Sequence, residues 1–407
     1  MNQMLKQSLL AAAYSSALFL TACGSGDNED WNIWSSNINA YAVDPDVSAL
    51  AAKHEILTYK MQSVAGKEIN ATTLIFIPAG AAPSGGWPVV VWAHGTTGAA
   101  DRCAPSQNVL AGSEKALVKA LLAKGYAVVA PDYEGLGNTA VPHPYLNLES
   151  AATSILSAVK AAHDQYGNLS KNWSVIGWSQ GGHAALAAAQ YQQALLGYNF
   201  KGTVAIAPAS YLAETLDEDL NTAQNKAAAA LSAGDAAAFG QAIGIAATAY
   251  AYAAIVSSGI KAETPAFQYT QSFLPAKAPI AALAESICSP ELGIKFAADM
   301  QQYMGTDYSK FFTYTVLQPN FLTDPDIGQY LNDNTPGMVK LDKPVVIYQG
   351  EADTTVPVDI TTDLAVNMDG LGTDVRLEPF AGETHSTVFS NNIPALADEI
   401  NQLMTAN

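Results

Sequence analysis

The chain has 407 residues, enough for one large domain with an insertion or for two domains. Hydrophobic residues make up 49% and charged ones 14%, the balance of a globular chain and not of a disordered one. The formal charge is −18 and the only arginines are Arg102 and Arg376. That excludes a basic groove for nucleic acid and argues against a pocket that grips carboxylates or phosphates through paired guanidinium contacts. A neutral or apolar substrate fits better.

Residues 1–22 carry Lys6, the apolar run Leu9–Leu20 and then small residues, the pattern of a signal peptide whose apolar part is too short for a comfortable membrane span. Leu20-Thr21-Ala22-Cys23 resembles the lipobox of bacterial lipoproteins, which implies cleavage before Cys23 and lipidation of that residue. Several acyl chains together anchor stably where one does not. Gly24 stands where an aspartate would signal retention, a resemblance to outer-membrane sorting, and Gly24–Asp30 reads as a tether outside the fold. An ordinary secretory signal with a chance cysteine is the alternative. Lipidation of Cys23 leaves Cys103 and Cys288, an even pair in an oxidising compartment, and a disulfide between them is expected; two free buried thiols are the competing reading. No Cys/His spacing suits zinc, and neither metal nor cofactor is expected.

After an N-terminal segment to residue 50, Lys53–Gln62 and Ala71–Pro78 read as strands joined by a turn at Gly66. Trp87–Ala93 is apolar at alternate and adjacent positions alike, as a parallel strand covered on both faces is. It ends in His94-Gly95-Thr96-Thr97-Gly98. A helix near Ser113–Lys124, a strand at Tyr126–Ala130 and a helix from Asn147 to about Tyr166 follow. Then come a strand from Trp173, an Ala-rich helix and a strand at Gly202–Ala207. Strands alternating with helices predict an α/β fold with a mostly parallel sheet and helices on both faces. The alternation stops near Ala209. Residues 210–338 read as a helical cap inserted between core segments 51–209 and 339–407. Within the cap, Ala236–Ile260 holds no charged residue; a buried cap helix is expected there, over a membrane-facing or membrane-spanning one. The sheet resumes at Pro344–Gly350, then a helix near Val358–Met368, the strand Asp374–Phe380 and a last helix at about Ile393–Met404.

The chemistry gathers around Gly177-Trp178-Ser179-Gln180-Gly181, a Gly-x-Ser-x-Gly turn between strand and helix. At ordinary glycine and serine frequencies roughly one chain in seven of this length would carry the pattern by accident. Its setting between strand and helix makes Ser179 a candidate nucleophile. A serine hydroxyl needs an imidazole to accept its proton and a carboxylate to hold that imidazole, in the chain order Ser, acid, His. His385, after both elbow and cap, is the candidate base. Asp353, just past a strand end, is the candidate acid, with Asp359 and Asp374 as weaker rivals. The backbone N–H groups of Gln180 and Thr96 are the candidate oxyanion donors. His94 and His183 read as structural, and His54, His143 and His163 as ordinary strand, loop and helix-surface histidines.

The ordered set His94–Gly98, Cys103-Ala104-Pro105-Ser106, Pro131-Asp132-Tyr133-Glu134-Gly135-Leu136-Gly137, His143-Pro144-Tyr145 and Gly177–Gly182 resembles the secretory lipase family of α/β-hydrolases, over roughly Ala51–Ala209 with a weaker echo at Asp353 and His385. The resemblance implies a lipase or carboxylesterase with a helical cap, a Ser179-Asp353-His385 triad, Gln180 and Thr96 around the oxyanion, and a disulfide reaching the cap. The lipoprotein anchor departs from freely secreted members. Gly-Trp-Ser-x-Gly-Gly is also similar to the elbow of prolyl-oligopeptidase-type peptidases, but the stretch between Cys23 and the first strand leaves no room for their β-propeller. A surface lipoprotein that binds without cleaving is the remaining alternative, and no triad position is substituted to favour it.

Overall fold

The computed structural model describes residues 37–137 and 141–406. The signal segment, the lipobox and Cys23 lie outside the described residues. A nine-stranded sheet, counted among the described residues, runs in the order β1-β2-β3-β5-β4-β6-β7-β8-β9. Its strands are β1 (Asn37–Ala40), β2 (Ala51–Gln62), β3 (Glu68–Pro78), β4 (Trp87–Ala93), β5 (Ala127–Pro131), β6 (Leu169–Trp178), β7 (Asn199–Ile206), β8 (Val345–Gly350) and β9 (Val375–Phe380). The first three neighbour pairs, out to β3–β5, are antiparallel, and every pair from β5–β4 to β8–β9 is parallel. This is the α/β-hydrolase fold.

The alternation within β4 shows why the sheet must be covered twice. Val89 and Val91 join the core on one face with helices α2 (Leu148–Gln165) and α3 (Gln180–Tyr191). Val90 and Trp92 join the core on the other, with α1 (Gly112–Ala123) and the C-terminal helix α9 (Ile393–Thr405). All four residues are at most 2% exposed. A strand buried on both faces has no polar side to show, which explains its unbroken apolar run. Asn147 opens α2 by accepting a hydrogen bond from the Ser150 N–H at 2.7 Å. Helix α8 (Val358–Gly370) lies between β8 and β9.

Between β7 and β8 the chain leaves the sheet and builds a helical segment with its own hydrophobic core. Its main helices are α4 (Leu212–Ala233), α5 (Ala236–Glu263), α6 (Ser289–Met304) and α7 (Pro325–Asp333). Helix α5 is long and apolar enough to cross a membrane, yet 78% of its apolar window is buried inside the protein. Small residues such as Ala242, Ala246 and Ala253 let α4 and α6 pack closely on it.

Two of the expected boundaries need correction. Strand β1 falls inside the stretch read as an N-terminal lead-in; its sequence, Asn-Ile-Asn-Ala, is exposed throughout and carries no alternation to reveal it. Strand β6 begins at Leu169, four residues before the apolar run, because Leu169 pairs with Trp87 of β4. The two arginines act as fasteners. Arg102 reaches Ser286 O (3.0 Å) and Glu291 (2.5 Å) in the helical segment, and Arg376 joins β9 to Glu399 of α9 at 2.6 Å.

Cys103 and Cys288 form a disulfide, with Cα atoms 5.5 Å apart across 185 residues of chain. It ties the loop after β4 to the start of α6. Beside it Gly98 pairs with Cys288 as an isolated bridge, and Ser289 N–H donates to Thr97 O at 2.9 Å. Gly98 has φ 139°, and a Cβ there would meet Cys103 Sγ at 2.9 Å and Cys288 Cα at 3.0 Å, so a larger residue would force the two segments apart. Replacing both cysteines by serine should lower the unfolding free energy by about 5 kcal/mol, the chain-entropy value for a loop of 185 residues. Urea unfolding of the wild type and the double variant measures it; equal midpoints would show that the crosslink adds nothing.

Candidate active site

Every candidate group sits just beyond the carboxyl end of a parallel strand: the His94–Gly98 loop after β4, Ser179 after β6, Asp353 after β8 and His385 after β9. Open parallel sheets present their reactive edge there. Ser179 has φ 57° and ψ −117°, a conformation that non-glycine residues rarely adopt. Ser179 N–H donates to Ile206 O at 2.8 Å, and Ser179 O accepts from His183 N–H (3.1 Å) and Ala209 N–H (3.2 Å). These bonds hold the strained residue from three sides. The flanking glycines are dictated by contact: a Cβ at Gly177 would lie 2.0 Å from Gly181 O, and one at Gly181 would lie 1.9 Å from Ala93 O. Helix α3 starts against β4 only because those atoms are missing.

Asp353 and His385 are brought together. His385 Nδ1 lies 2.8 Å from Asp353 Oδ2, and the aspartate side chain is fully buried. Asp353 Oδ1 accepts from the Thr355 and Val356 N–H groups at 2.8 and 2.9 Å, and Oδ2 also accepts from Gln349 Nε2 at 3.2 Å. This acceptor set suits an ionised carboxylate that fixes the imidazole with its proton on Nδ1. Gln349 is aimed by a Thr361 hydroxyl donating to its Oε1 (2.8 Å) and by its own bond to Val356 O (2.8 Å). His385 Nε2 is buried and has no hydrogen-bond partner among the described residues, Ser179 included. Trp178, next to Ser179, donates from Nε1 to His385 O at 2.9 Å, and its ring centroid lies 5.2 Å from the imidazole. The elbow and the histidine loop therefore hold each other. Neither rival aspartate takes this place: Asp359 lies in the first turn of α8, and Asp374 supplies the carbonyl that accepts from Val345 N–H.

Gln180 opens α3, and its side chain is locked. Gln180 Nε2 donates to His143 Nε2 (3.0 Å), while His143 Nδ1 donates to Glu134 O (2.6 Å). Burial lowers the His143 pKa to about 4, so the ring is neutral and can accept at Nε2. His143 is thus a buried positioning residue for Gln180 and not an ordinary loop histidine. The other oxyanion candidate, Thr96, bonds through Oγ1 to the Tyr145 hydroxyl at 2.8 Å. His94 turns inward to Gly95 O (2.7 Å) and Asp132 O (3.3 Å), and His183 to Asn334 O (2.9 Å). Both are buried, with pKa values pushed down to about 4 by desolvation, as packed histidines. His54 sits in β2, bonded to Tyr41 O (2.6 Å), and His163 in α2, bonded to Val159 O (2.8 Å) and Ser170 O (2.7 Å).

A narrow cavity of about 60 Å³ opens on Ser179, lined mainly by apolar side chains including Tyr145, Leu146, Leu216, Val256 and Leu331. Its lining suits a slender apolar group such as a short acyl chain. Asp219 of α4 stands at its wall, 4% exposed, with Oδ1 unpartnered among the described residues. Burial, with Asp353 and Glu218 adding like charge, raises its pKa to about 9. Among the described residues no cluster of His, Cys, Asp and Glu could hold a metal ion.

The sequence model of the secretory lipase family matches residues 101–195, a stretch that contains the elbow. Over that stretch the chain is similar to the secretory lipases. Its reaction class is accordingly that of the carboxylic ester hydrolases. Among solved structures it is similar to the rice cell wall degrading esterase LipA from Xanthomonas oryzae, with TM-score 0.64 and 20% identity over 90% of this chain and 97% of that one. Candida antarctica lipase A in its closed state gives TM-score 0.66 and 16% identity over 90% of this chain and 81% of that one. A putative hydrolase from Legionella pneumophila gives 0.66 and 18% over 91% and 98%. At such identities the likeness is one of fold. No curated protein matches the sequence significantly.

The Asp219 environment makes stability depend on pH. An unfolded Asp219 ionises near 3.8 and the folded one near 9, so across that window the folded state keeps a proton that the unfolded state has lost. The stabilisation is complete below the lower value and is lost as pH rises through the upper one. Asp219→Asn should therefore gain stability over the wild type steadily from about pH 4 to pH 9, read as the difference in melting temperature. A constant difference would show that Asp219 is ionised in the folded protein.

Proposed function

We propose that this ester hydrolase works through an acyl-serine intermediate, with Ser179 as nucleophile, His385 as general base and Asp353 as its orienting acid. The observation that carries the reading is His385, fixed by Asp353 through Nδ1 while its buried Nε2 is left without a partner. Nε2 removes the Ser179 proton as Oγ attacks the ester carbonyl. The imidazolium formed is stabilised by Asp353, and its proton goes to the leaving alcohol. Water, deprotonated by the same nitrogen, then releases the acid. The oxyanion takes hydrogen bonds from the backbone N–H of Gln180, held by His143, and from that of Thr96. The free nitrogen of His385 pairs with the serine in the substrate complex, as catalytic bonds that are loose in a free enzyme commonly do.

The helical segment 210–338 serves as the cap in this reading and carries one wall of the acyl pocket. That pocket, with few polar groups, selects neutral, mostly apolar esters. The relatives' names agree with this substrate class: one is a cell wall degrading esterase and another a lipase. The leader and Cys23 support an exported lipoprotein, anchored to a membrane by its acylated first residue.

Hydrolysis of p-nitrophenyl esters from short to long acyl chains, set beside aminoacyl-nitroanilides, tests the reaction. Esters should turn over and anilides should not; faster anilide turnover would mean a peptidase. Ser179→Ala should remove at least about a thousandfold of activity, and Asp353→Asn about 10⁴-fold in kcat by allowing the wrong imidazole tautomer. Activity retained by Ser179→Ala rules out the elbow as the reactive centre. Mass spectrometry of the mature N-terminus should find a diacylglyceryl or triacyl Cys23; an unmodified residue rules out the anchor.

A further inference from the structure

The acyl pocket contains one group that an apolar substrate cannot use. Leu212, Thr215, Leu216 and Asp219 line it from α4, at the i, i+3, i+4, i+7 spacing of a single helix face. A leucine at position 219 would complete that stripe as a plain apolar wall. Instead a carboxyl group stands there, 4% exposed and with Oδ1 unpartnered among the described residues. Leaving such a group buried and unbonded costs stability, so its presence calls for a ligand to bond it.

The surroundings say where that ligand lies. Thr215, Tyr252 and Thr355 line the same cavity, and Asp219 and Thr355 also border a second, more open cleft of about 250 Å³ lined by Gln241, Thr248 and Thr354. Asp219 therefore borders both the apolar slot beside Ser179 and a cleft that offers the Gln241 amide and the hydroxyls of Thr248, Thr354 and Thr355. Its raised pKa, about 9, keeps the carboxyl neutral at pH 7. A neutral carboxyl both donates and accepts, which matches an alcohol hydroxyl.

We propose that Asp219 is a specificity-determining residue that hydrogen-bonds a hydroxyl on the substrate, so that the enzyme selects esters whose acyl or alcohol chain carries a hydroxyl group. The proposal rests on Ser179 as the reacting centre. It refines the substrate from a neutral apolar ester to a hydroxylated one, and it predicts that removing the hydroxyl leaves Asp219 buried and unbonded in the complex.

Two substrate pairs test it: p-nitrophenyl hexanoate against its 6-hydroxy derivative, and butyl hexanoate against 4-hydroxybutyl hexanoate. In the wild type, kcat/KM for the hydroxylated member should exceed that for its plain partner by about tenfold or more in at least one pair. Asp219→Leu should bring that ratio to about one, and Asp219→Asn, which still bonds a hydroxyl, should retain part of it. Ratios near one in both wild-type pairs, or a preference that survives Asp219→Leu, overturn the proposal. So does a stronger preference for a chain ending in trimethylammonium that Asp219→Asn abolishes, because it would assign the carboxyl to a cation. A second readout is independent of turnover: calorimetric binding of methyl 6-hydroxyhexanoate and methyl hexanoate to the Ser179→Ala protein, with and without Asp219→Leu. Discrimination in binding without any turnover in the parent enzyme would sustain Asp219 and sink the Ser179 mechanism; turnover without discrimination does the reverse.

Discussion

The contact between Gly181 and Ala93 O is the constraint on which the site depends. With a Cβ at position 181 the carbonyl would be only 1.9 Å away, so the first turn of α3 can approach β4 only as glycine. That approach forces Ser179 into its positive-φ turn between the close-packed glycines. A left-handed serine costs on the order of 1–3 kcal/mol unless its surroundings fix it. Here Ile206, His183 and Ala209 fix it through backbone bonds, and Trp178 ties the same turn to the histidine loop. The strain is thus distributed across β4, β6, β7 and the loop after β9. The last of these carries His385, and β8, paired with β7, brings Asp353 to the same edge of the sheet.

What could be read from the sequence follows from this physics. Gly177 and Gly181 are legible because a Cβ fits at neither position, and Ser179 because it is the hydroxyl held between them. His385 is legible by chain order, and the strands β4 and β8 by burial on both faces. Other features had no such signature. Strand β1 is four exposed residues held only by pairing with β2. Asp219 follows Asp217 and Glu218, and on its own such a run reads as a solvated face of α4; only the tertiary packing turns one of the three carboxyls inward. His143 looked like any loop histidine because its partner, Gln180, lies 37 residues away. Gln349 sits in an apolar strand, where nothing local marks it as a support for Asp353. Helix α5 illustrates the limit of composition: its apolar run is the same for a membrane span and a buried helix, and only its neighbours decide.

The site is also built in two halves with different origins. The sheet supplies the candidate reacting groups, all on loops after parallel strands. The helical segment supplies one wall of the pocket, including Leu216, Asp219, Val256 and Leu331. The Cys103–Cys288 crosslink and the Gly98–Cys288 bridge join the halves beside Thr96. Changes within the helical segment can therefore alter the substrate while the strand-end chemistry stays fixed, the division by which a single fold comes to host many specificities.

Arg102 and Arg376, the only guanidinium groups in the sequence, are both engaged in joining one element to another. The surface is left with acidic groups in large excess, for a formal charge of −18. Ester hydrolysis converts a neutral molecule into an anion, so substrate and product meet different fields. The neutral ester approaches without electrostatic hindrance. The released carboxylate departs down a repulsive potential that extends roughly one Debye length, about 8 Å at physiological ionic strength, beyond the surface. The shortage of arginine thus gives turnover a direction: what enters uncharged is expelled charged.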